Sequence, residues 1–237
     1  MSNVKTVGTY EGFVQLCSGY GGYNPGSPNL TLSALQELSA KARQALTDLT
    51  VAKSAMNQAT NDREIAFARL PKLVSAVSFA LDASGASEQT MKDIRVFLRQ
   101  MSSRKKFRDP IPSDQATPPV KSNRPFSQRG YEAMTNHVAQ LVQLVSQETS
   151  YQPKELHLTV ESLRNMVSTL RSHNARVQEA RAAFGHARLH VHNVLYGETN
   201  SLVSTARTAK KYLRSVYGFN SNEYRQVRKM EFTKTRM

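Results

Sequence analysis

The amino-acid sequence predicts an all-α protein, an internally duplicated helical bundle with two long paired helices and shorter bracing helices. Two observations lead to this prediction. Apolar residues recur every three or four positions in long stretches rich in Ala, Leu, Gln and Arg, which is typical of amphipathic helices. The same residue pattern also occurs twice, 128 positions apart. A repeat of this kind indicates that one helical unit is present in two copies.

Three pairs of segments carry the duplication, and all three share the same offset. The matching pairs are 13–18 with 141–146, 23–25 with 151–153, and 30–35 with 158–163. A shared offset is difficult to obtain by chance. We therefore expect the two halves to superpose as equivalent helical units, with long helices over 31–70 and 159–196 that pack side by side.

The first half is predicted to contain four helices after a polar, irregular start. Thr31 and Ser87 are the expected N-caps, and Pro71 ends or kinks the long helix. Segment 19–28 is dense in Gly and Pro and is predicted to be a loop. The predicted helices are 11–18, 32–70, 71–82 and 88–101.

The second half repeats this plan, with Thr159 as an N-cap and Gly197 at the position of the Pro71 break. Its predicted helices are 131–149, 159–196, 201–217 and 225–229, the first of them longer than its counterpart. Five prolines between the halves indicate an extended linker. The resulting division is 1–101 for helical repeat 1, 102–130 for a basic Pro-rich linker, 131–219 for helical repeat 2 and 220–237 for a basic C-terminal tail.

The chain is strongly basic, with a formal net charge of +14. Residues 102–130 contain seven basic and two acidic residues, and residues 207–237 contain nine and two, so these segments hold +12 of that charge. A single cysteine excludes an intrachain disulfide, and the first residues lack the layout of a secretory signal. No apolar run approaches the roughly 18 residues that span a bilayer. We expect a cytoplasmic protein, and the lack of such a run disfavours a membrane as its partner.

The sequence also resembles a known group of proteins. Segment 7–32 (VGTYEGFVQLCSGYGGYNPGSPNLTL), segment 61–67 (NDREIAF) and segment 210–234 (KKYLRSVYGFNSNEYRQVRKMEFTK) resemble an uncharacterised family of hypothetical helical proteins from Bacteroidota. The resemblance covers most of the chain except the linker. It implies a bacterial origin, and it transfers no activity and no catalytic or binding residues.

No motif indicates catalysis or a cofactor. The loop Gly19–Tyr23 lacks the Lys of a phosphate-binding loop. His186 and His190 have the i, i+4 spacing of zinc ligands, but no third ligand lies within reach on their helix, so we predict no metal. Cys17 corresponds to Val145 in the repeat, which favours a buried small hydrophobe over a nucleophile. We therefore predict no catalytic residues, no cofactor and no small-molecule substrate.

The charged patch at residues 62–64 also gives no indication of catalysis. Its two carboxylates stand i, i+2 and point apart, which does not suit acid–base chemistry. We expect a solvated patch or an inter-helix salt bridge there.

The most specific functional signal is a row of cations in the C-terminal part. Arg207, Lys210, Lys211 and Arg214 have the spacing i, i+3, i+4, i+7, which places them on one helical face. Aromatic residues are interleaved with a second basic group shortly after it. The predicted contact residues for a polyanion or another subunit are Arg207, Lys210, Lys211, Arg214, Arg225, Arg228 and Lys229, with Arg104, Lys105, Lys106 and Arg108 in the linker.

Three functions compete for this basic face. The favoured hypothesis is a non-enzymatic helical scaffold or interaction protein that self-assembles, with the basic linker and C-terminal arm as contact elements. The alternative is an RNA- or DNA-binding protein, since cations with exposed aromatics can hold phosphates and stack bases. A membrane-associated or pore-forming helical protein is the weaker alternative, because no apolar hairpin stands out.

Overall fold

The computed structural model describes residues 3–102 and 130–233, and all regular secondary structure in these residues is helical. The fold class is therefore all-α, as predicted. The helices are α1 (Asn3–Gly19), α2 (Leu32–Ala68), α3 (Leu70–Ala83), α4 (Glu88–Ser102), α5 (Tyr131–Gln147), α6 (Val160–Tyr196), α7 (Leu202–Tyr217) and α8 (Asn222–Arg228). Two 3₁₀ turns, Pro28–Leu30 and Leu156–Leu158, precede the long helices α2 and α6.

The predicted starts of the long helices are confirmed by their capping bonds. The Thr31 hydroxyl accepts a hydrogen bond from the Ala34 amide at 3.3 Å, and the Thr159 hydroxyl accepts one from the Ser162 amide at 3.3 Å. Each bond satisfies an amide that the first helical turn leaves without a partner. The loops that precede these helices also contain matching hydrogen bonds. The Tyr23 hydroxyl donates to the Leu30 carbonyl in the first loop, and the Tyr151 hydroxyl donates to the Leu158 carbonyl in the second. The superposition of the complete halves stays a prediction.

The predicted start of the first helix was wrong, because α1 begins at Asn3 instead of residue 11. The apolar positions Val7, Tyr10, Phe13 and Val14 continue one buried face towards the N-terminus, and this face holds the segment in a helix. Helix α5 is not longer than its counterpart, since α1 and α5 each have 17 residues.

The described residues form two compact units that differ from the division made on the sequence. Of the described residues, unit 1 comprises 3–57 and 180–233, and unit 2 comprises 58–102 and 130–179. The boundary falls inside α2 and α6, which have 37 residues each and are about 55 Å long at 1.5 Å per residue. A helix of that length exceeds one small core, so each long helix contributes its two ends to different cores.

The core of unit 1 is built from α1, the first part of α2, the last part of α6, and α7 with α8. Tyr10 and Phe13 of α1 and Leu213 of α7 have no exposed surface. Ala42 of α2 and Leu195 of α6 are buried in the same cluster, so both long helices contribute to this core. Their side-by-side packing stays a prediction.

The core of unit 2 contains the end of α2, the first part of α6, and α3, α4 and α5. One of its features was not predicted. Arg63, which we expected in a solvated or salt-bridged patch, is only 7% exposed, and its guanidinium lies 3.9 Å from the centre of the Tyr131 ring. A cation against an aromatic face recovers part of the free energy that burial of the charge costs.

Cys17 is fully buried in unit 1, as the comparison with Val145 predicted. Burial raises the pKa of its thiol to about 12, because the thiolate would lose its hydration in this core. At neutral pH the side chain is a neutral thiol with little nucleophilic character.

We expect Cys17→Val to be tolerated and Cys17→Asp to unfold unit 1. Valine occupies the corresponding buried site at position 145, whereas an unpaired buried carboxylate costs about 2–7 kcal/mol or more. Chemical denaturation followed by circular dichroism would measure the difference, and equal stability of the two variants would contradict a buried site.

Cys17 should also make the free energy of unfolding depend on pH. The folded-state pKa of Cys17 lies above that of the unfolded chain, so the stability it contributes is complete below the unfolded value near 9.0 and is lost as pH rises towards about 12. Between these values, one titrating group changes the free energy of unfolding by about 1.4 kcal/mol per pH unit. Cys17→Val should show a correspondingly shallower loss of stability above pH 9.

Candidate functional site

The candidate site is the outer face of α7 together with α8, both in unit 1. The inner face of α7 carries Leu202, Val203, Ala206, Ala209 and Leu213, all with no exposed surface. Because these positions recur every three or four residues, the remaining positions of α7 face outward, and they include the predicted cations.

Two serines and one glycine set the position of these helices. The Ser201 hydroxyl accepts from the Ser204 amide at the start of α7, and the Ser221 hydroxyl accepts from the Tyr224 amide at the start of α8. Gly218 joins the two helices with a φ of 82°, a conformation that favours glycine. Val227, which is fully buried, fixes α8 to the core.

Two of the predicted contact residues donate hydrogen bonds to backbone carbonyls of the same chain. The Arg207 Nε donates to the Phe232 carbonyl at 2.9 Å. The Lys210 ammonium donates to the carbonyls of Met230 at 2.8 Å and Arg228 at 3.2 Å. These carbonyls lie at and beyond the C-terminus of α8, where a cation is favourable. Burial lowers the pKa of Lys210, and the nearby Glu231 carboxylate opposes this effect.

The segment that these cations hold ends in a buried aromatic residue. Phe232 is 6% exposed and meets the rings of Tyr10 and Phe13 edge-on, with centroid distances of 6.4 and 5.8 Å. We call Arg207, Lys210 and Phe232 the terminal clasp. Helical spacing did not reveal this role of Phe232, although an isolated aromatic residue soon after a short helix is a signal of a hydrophobic anchor.

Five predicted cations remain on the surface. Their side chains belong to exposed residues, and none forms an ion pair with a carboxylate within the described ranges 3–102 and 130–233. We call these five residues the basic surface: Lys211, Arg214, Arg225, Arg228 and Lys229. The linker residues Arg104, Lys105, Lys106 and Arg108 lie outside the described residues.

An aromatic residue lies within the basic surface. Phe219 is 45% exposed, and the guanidinium carbons of Arg214 and Arg228 lie 5.2 and 4.6 Å from the centre of its ring. Tyr224 packs on it as well, at 5.9 Å between ring centres. These cation–π contacts hold the two guanidinium groups beside an exposed apolar ring.

The tyrosines of the Gly-rich loop have a role inside unit 1. The Tyr20 hydroxyl donates to the Glu223 carbonyl, and the Gly22 amide donates to the Tyr217 hydroxyl at 3.0 Å. Tyr23 packs edge-on against Tyr212 with a centroid distance of 5.5 Å. These contacts attach the loop to α7 and α8.

The histidines of α6 do not form part of this site. His186 and His190 are exposed. In the described part of the chain, no group of three or more His, Cys, Asp or Glu side chains lies close enough to hold a metal ion. The absence of a metal stays a prediction.

Comparisons with known proteins do not identify the site. The chain matches no protein-family model, no curated protein and no solved structure. None of the helices in the described residues has the length and apolar character needed to cross a membrane. The function must therefore be argued from the side chains of the site.

We expect Phe232→Ala to lower the free energy of unfolding by about 3 kcal/mol, because it removes a buried aromatic ring.

Lys210→Met should lower the free energy of unfolding by about 1–2 kcal/mol, since it keeps the apolar stem but leaves two carbonyls without their donor. Urea denaturation would measure both. Lys211→Met is the matched control, because Lys211 is exposed, and its effect should stay within about 0.5 kcal/mol. An effect of Lys210→Met as small as that of the control would contradict the clasp.

Proposed function

We propose that this protein is a non-enzymatic helical interaction protein that self-assembles, with the basic surface as one of its contact elements. The observation that carries this proposal is the exposed Phe219 ring between Arg214 and Arg228. An exposed aromatic ring flanked by guanidinium groups has the composition of the residues that contribute most to protein interfaces.

The chemistry of this group favours a carboxylate-bearing protein surface over a nucleobase. Two guanidinium groups already lie against the Phe219 ring, so a base would compete with them for contact with the ring. A carboxylate could instead bind the same guanidinium groups in a bidentate manner while the ring stays in place. An acidic surface on a second copy would also reduce the repulsion within the basic surface.

Analytical ultracentrifugation tests the proposal. The wild-type chain should sediment at low salt as a species larger than the 26.5 kDa monomer, and it should dissociate as salt screens the charges. Replacement of Lys211, Arg214, Arg225, Arg228 and Lys229 with Gln should give a monomer. Arg207 and Lys210 are left unchanged because they hold the terminal clasp.

A matched control removes the same number of charges elsewhere. Lys41, Lys53, Arg164, Arg171 and Arg181 lie at exposed positions of α2 and α6, and their replacement with Gln should leave the assembly unchanged. A wild-type chain that stays monomeric at high concentration and low salt would contradict the proposed function.

Nucleic-acid binding is the second candidate, favoured by five exposed cations that have no carboxylate partner among the described residues. If each cation neutralises one phosphate of a single strand, the logarithm of affinity should fall against the logarithm of salt concentration with a slope of about −3.5. Fluorescence anisotropy with a labelled oligonucleotide would measure the slope, and the five Gln substitutions should abolish it. No binding at low salt would eliminate this candidate.

A further inference from the structure

Unit 2 contains an open groove of about 720 Å³, which is a separate feature from the basic surface of unit 1. The groove runs between α3 and the loop that precedes the second 3₁₀ turn, and its lining includes Ala76, Phe79, Ala80, Ala83, Tyr151 and Glu155. Phe79 is 75% exposed, and Leu156, next to the lining residue Glu155, is 84% exposed. These are the two most exposed large apolar side chains among the described residues.

A comparison with the corresponding helix and loop of unit 1 explains why unit 2 has a groove at this place. The buried faces of the two helices give the alignment, because buried Leu70, Val74, Val77 and Leu81 of α3 have the same spacing as buried Leu202, Ala206, Ala209 and Leu213 of α7. This alignment places Ala80 of α3 opposite Tyr212 of α7. In unit 1 the Tyr212 ring packs edge-on against Tyr23, and its hydroxyl accepts from the Asn24 amide at 3.2 Å. In unit 2 the corresponding loop tyrosine is Tyr151, and alanine stands at the aligned helical position.

The loops themselves are held in the same way in both units. Tyr23 donates to the Leu30 carbonyl at 2.7 Å, and Tyr151 donates to the Leu158 carbonyl at 2.8 Å. The groove therefore follows from the smaller side chains of α3, and an aromatic ring from outside could occupy a place like that of Tyr212.

The charge of the groove restricts which aromatic residue would bind. Glu155 lies in the lining, close enough to Tyr151 for its carboxylate to help raise the pKa of that phenol after the larger effect of burial. A ring accompanied by a cation would complement this carboxylate. Phe219 of unit 1 is such a ring, since Arg214 and Arg228 lie against it.

We propose that the groove of unit 2 receives Phe219 from a second copy of this chain, with Arg214 or Arg228 of that copy paired with Glu155. This inference rests on the self-assembly proposed above and names the surface that accepts the basic surface. The donor ring and the accepting groove are different surfaces of the same chain, so the contact is head-to-tail. Contacts of this type close into rings or continue as filaments.

Two variants separate the donor from the acceptor. Ala80→Tyr should fill the groove as Tyr212 fills its counterpart, and Phe219→Ala removes the exposed donor ring. Each variant alone should be monomeric by ultracentrifugation. Their mixture should form dimers and nothing larger, because one partner retains only the donor and the other only the groove. Ala55→Tyr adds the same side chain at an exposed position of α2 and should assemble like the wild type.

A charge exchange tests the proposed ion pairs. Glu155→Arg alone should weaken assembly, and its combination with Arg214→Glu and Arg228→Glu should restore it. Circular dichroism would show that each variant keeps its helices. If the wild type assembles and Ala80→Tyr and Phe219→Ala assemble equally well, this inference is overturned while the proposed function stands. A wild type that never assembles overturns both.

Discussion

The packing of α7 against α1 is the interaction on which the rest of unit 1 depends. Tyr10, Phe13 and Cys17 of α1 have no exposed surface, and the same holds for the inner face of α7. Helix α1 comes from the first half of the chain and α7 from the second, so neither half could bury its apolar face alone. Since short helices gain most of their stability from tertiary packing, the two halves must meet before either helix is stable.

This packing also determines what the cations of α7 do. Arg207 and Lys210 lie where the chain returns after α8, and their donors satisfy the carbonyls of the returning segment. Lys211 and Arg214 continue the same helical spacing but lie away from that segment and are exposed. One row of similar side chains thus divides into a structural part and a surface part, because only one end of the row has backbone carbonyls beside it.

The two units reuse one local arrangement with different side chains. A loop tyrosine donates to a carbonyl seven residues later in both units, at positions 23 and 151. The neighbouring helix supplies Tyr212 in unit 1 and Ala80 in unit 2, so one loop is covered by an aromatic ring and the other lies beside an open groove. The backbone plan thus leaves room for different surfaces, because the size of a single side chain decides whether the space beside the loop is filled.

The sequence by itself determined the helical class, the caps at Thr31 and Thr159, the break at Gly197 and the buried state of Cys17, because periodicity and capping are local properties. It also placed six cations on α7 and α8 and a seventh, Lys229, directly after α8. Only the tertiary structure decided that α1 extends back to Asn3, that Arg63 is buried against Tyr131, and that Arg207 and Lys210 hold the segment ending in Phe232. These outcomes depend on contacts between residues far apart in the chain, and helical spacing carries no information about which distant segment will lie beside a given face.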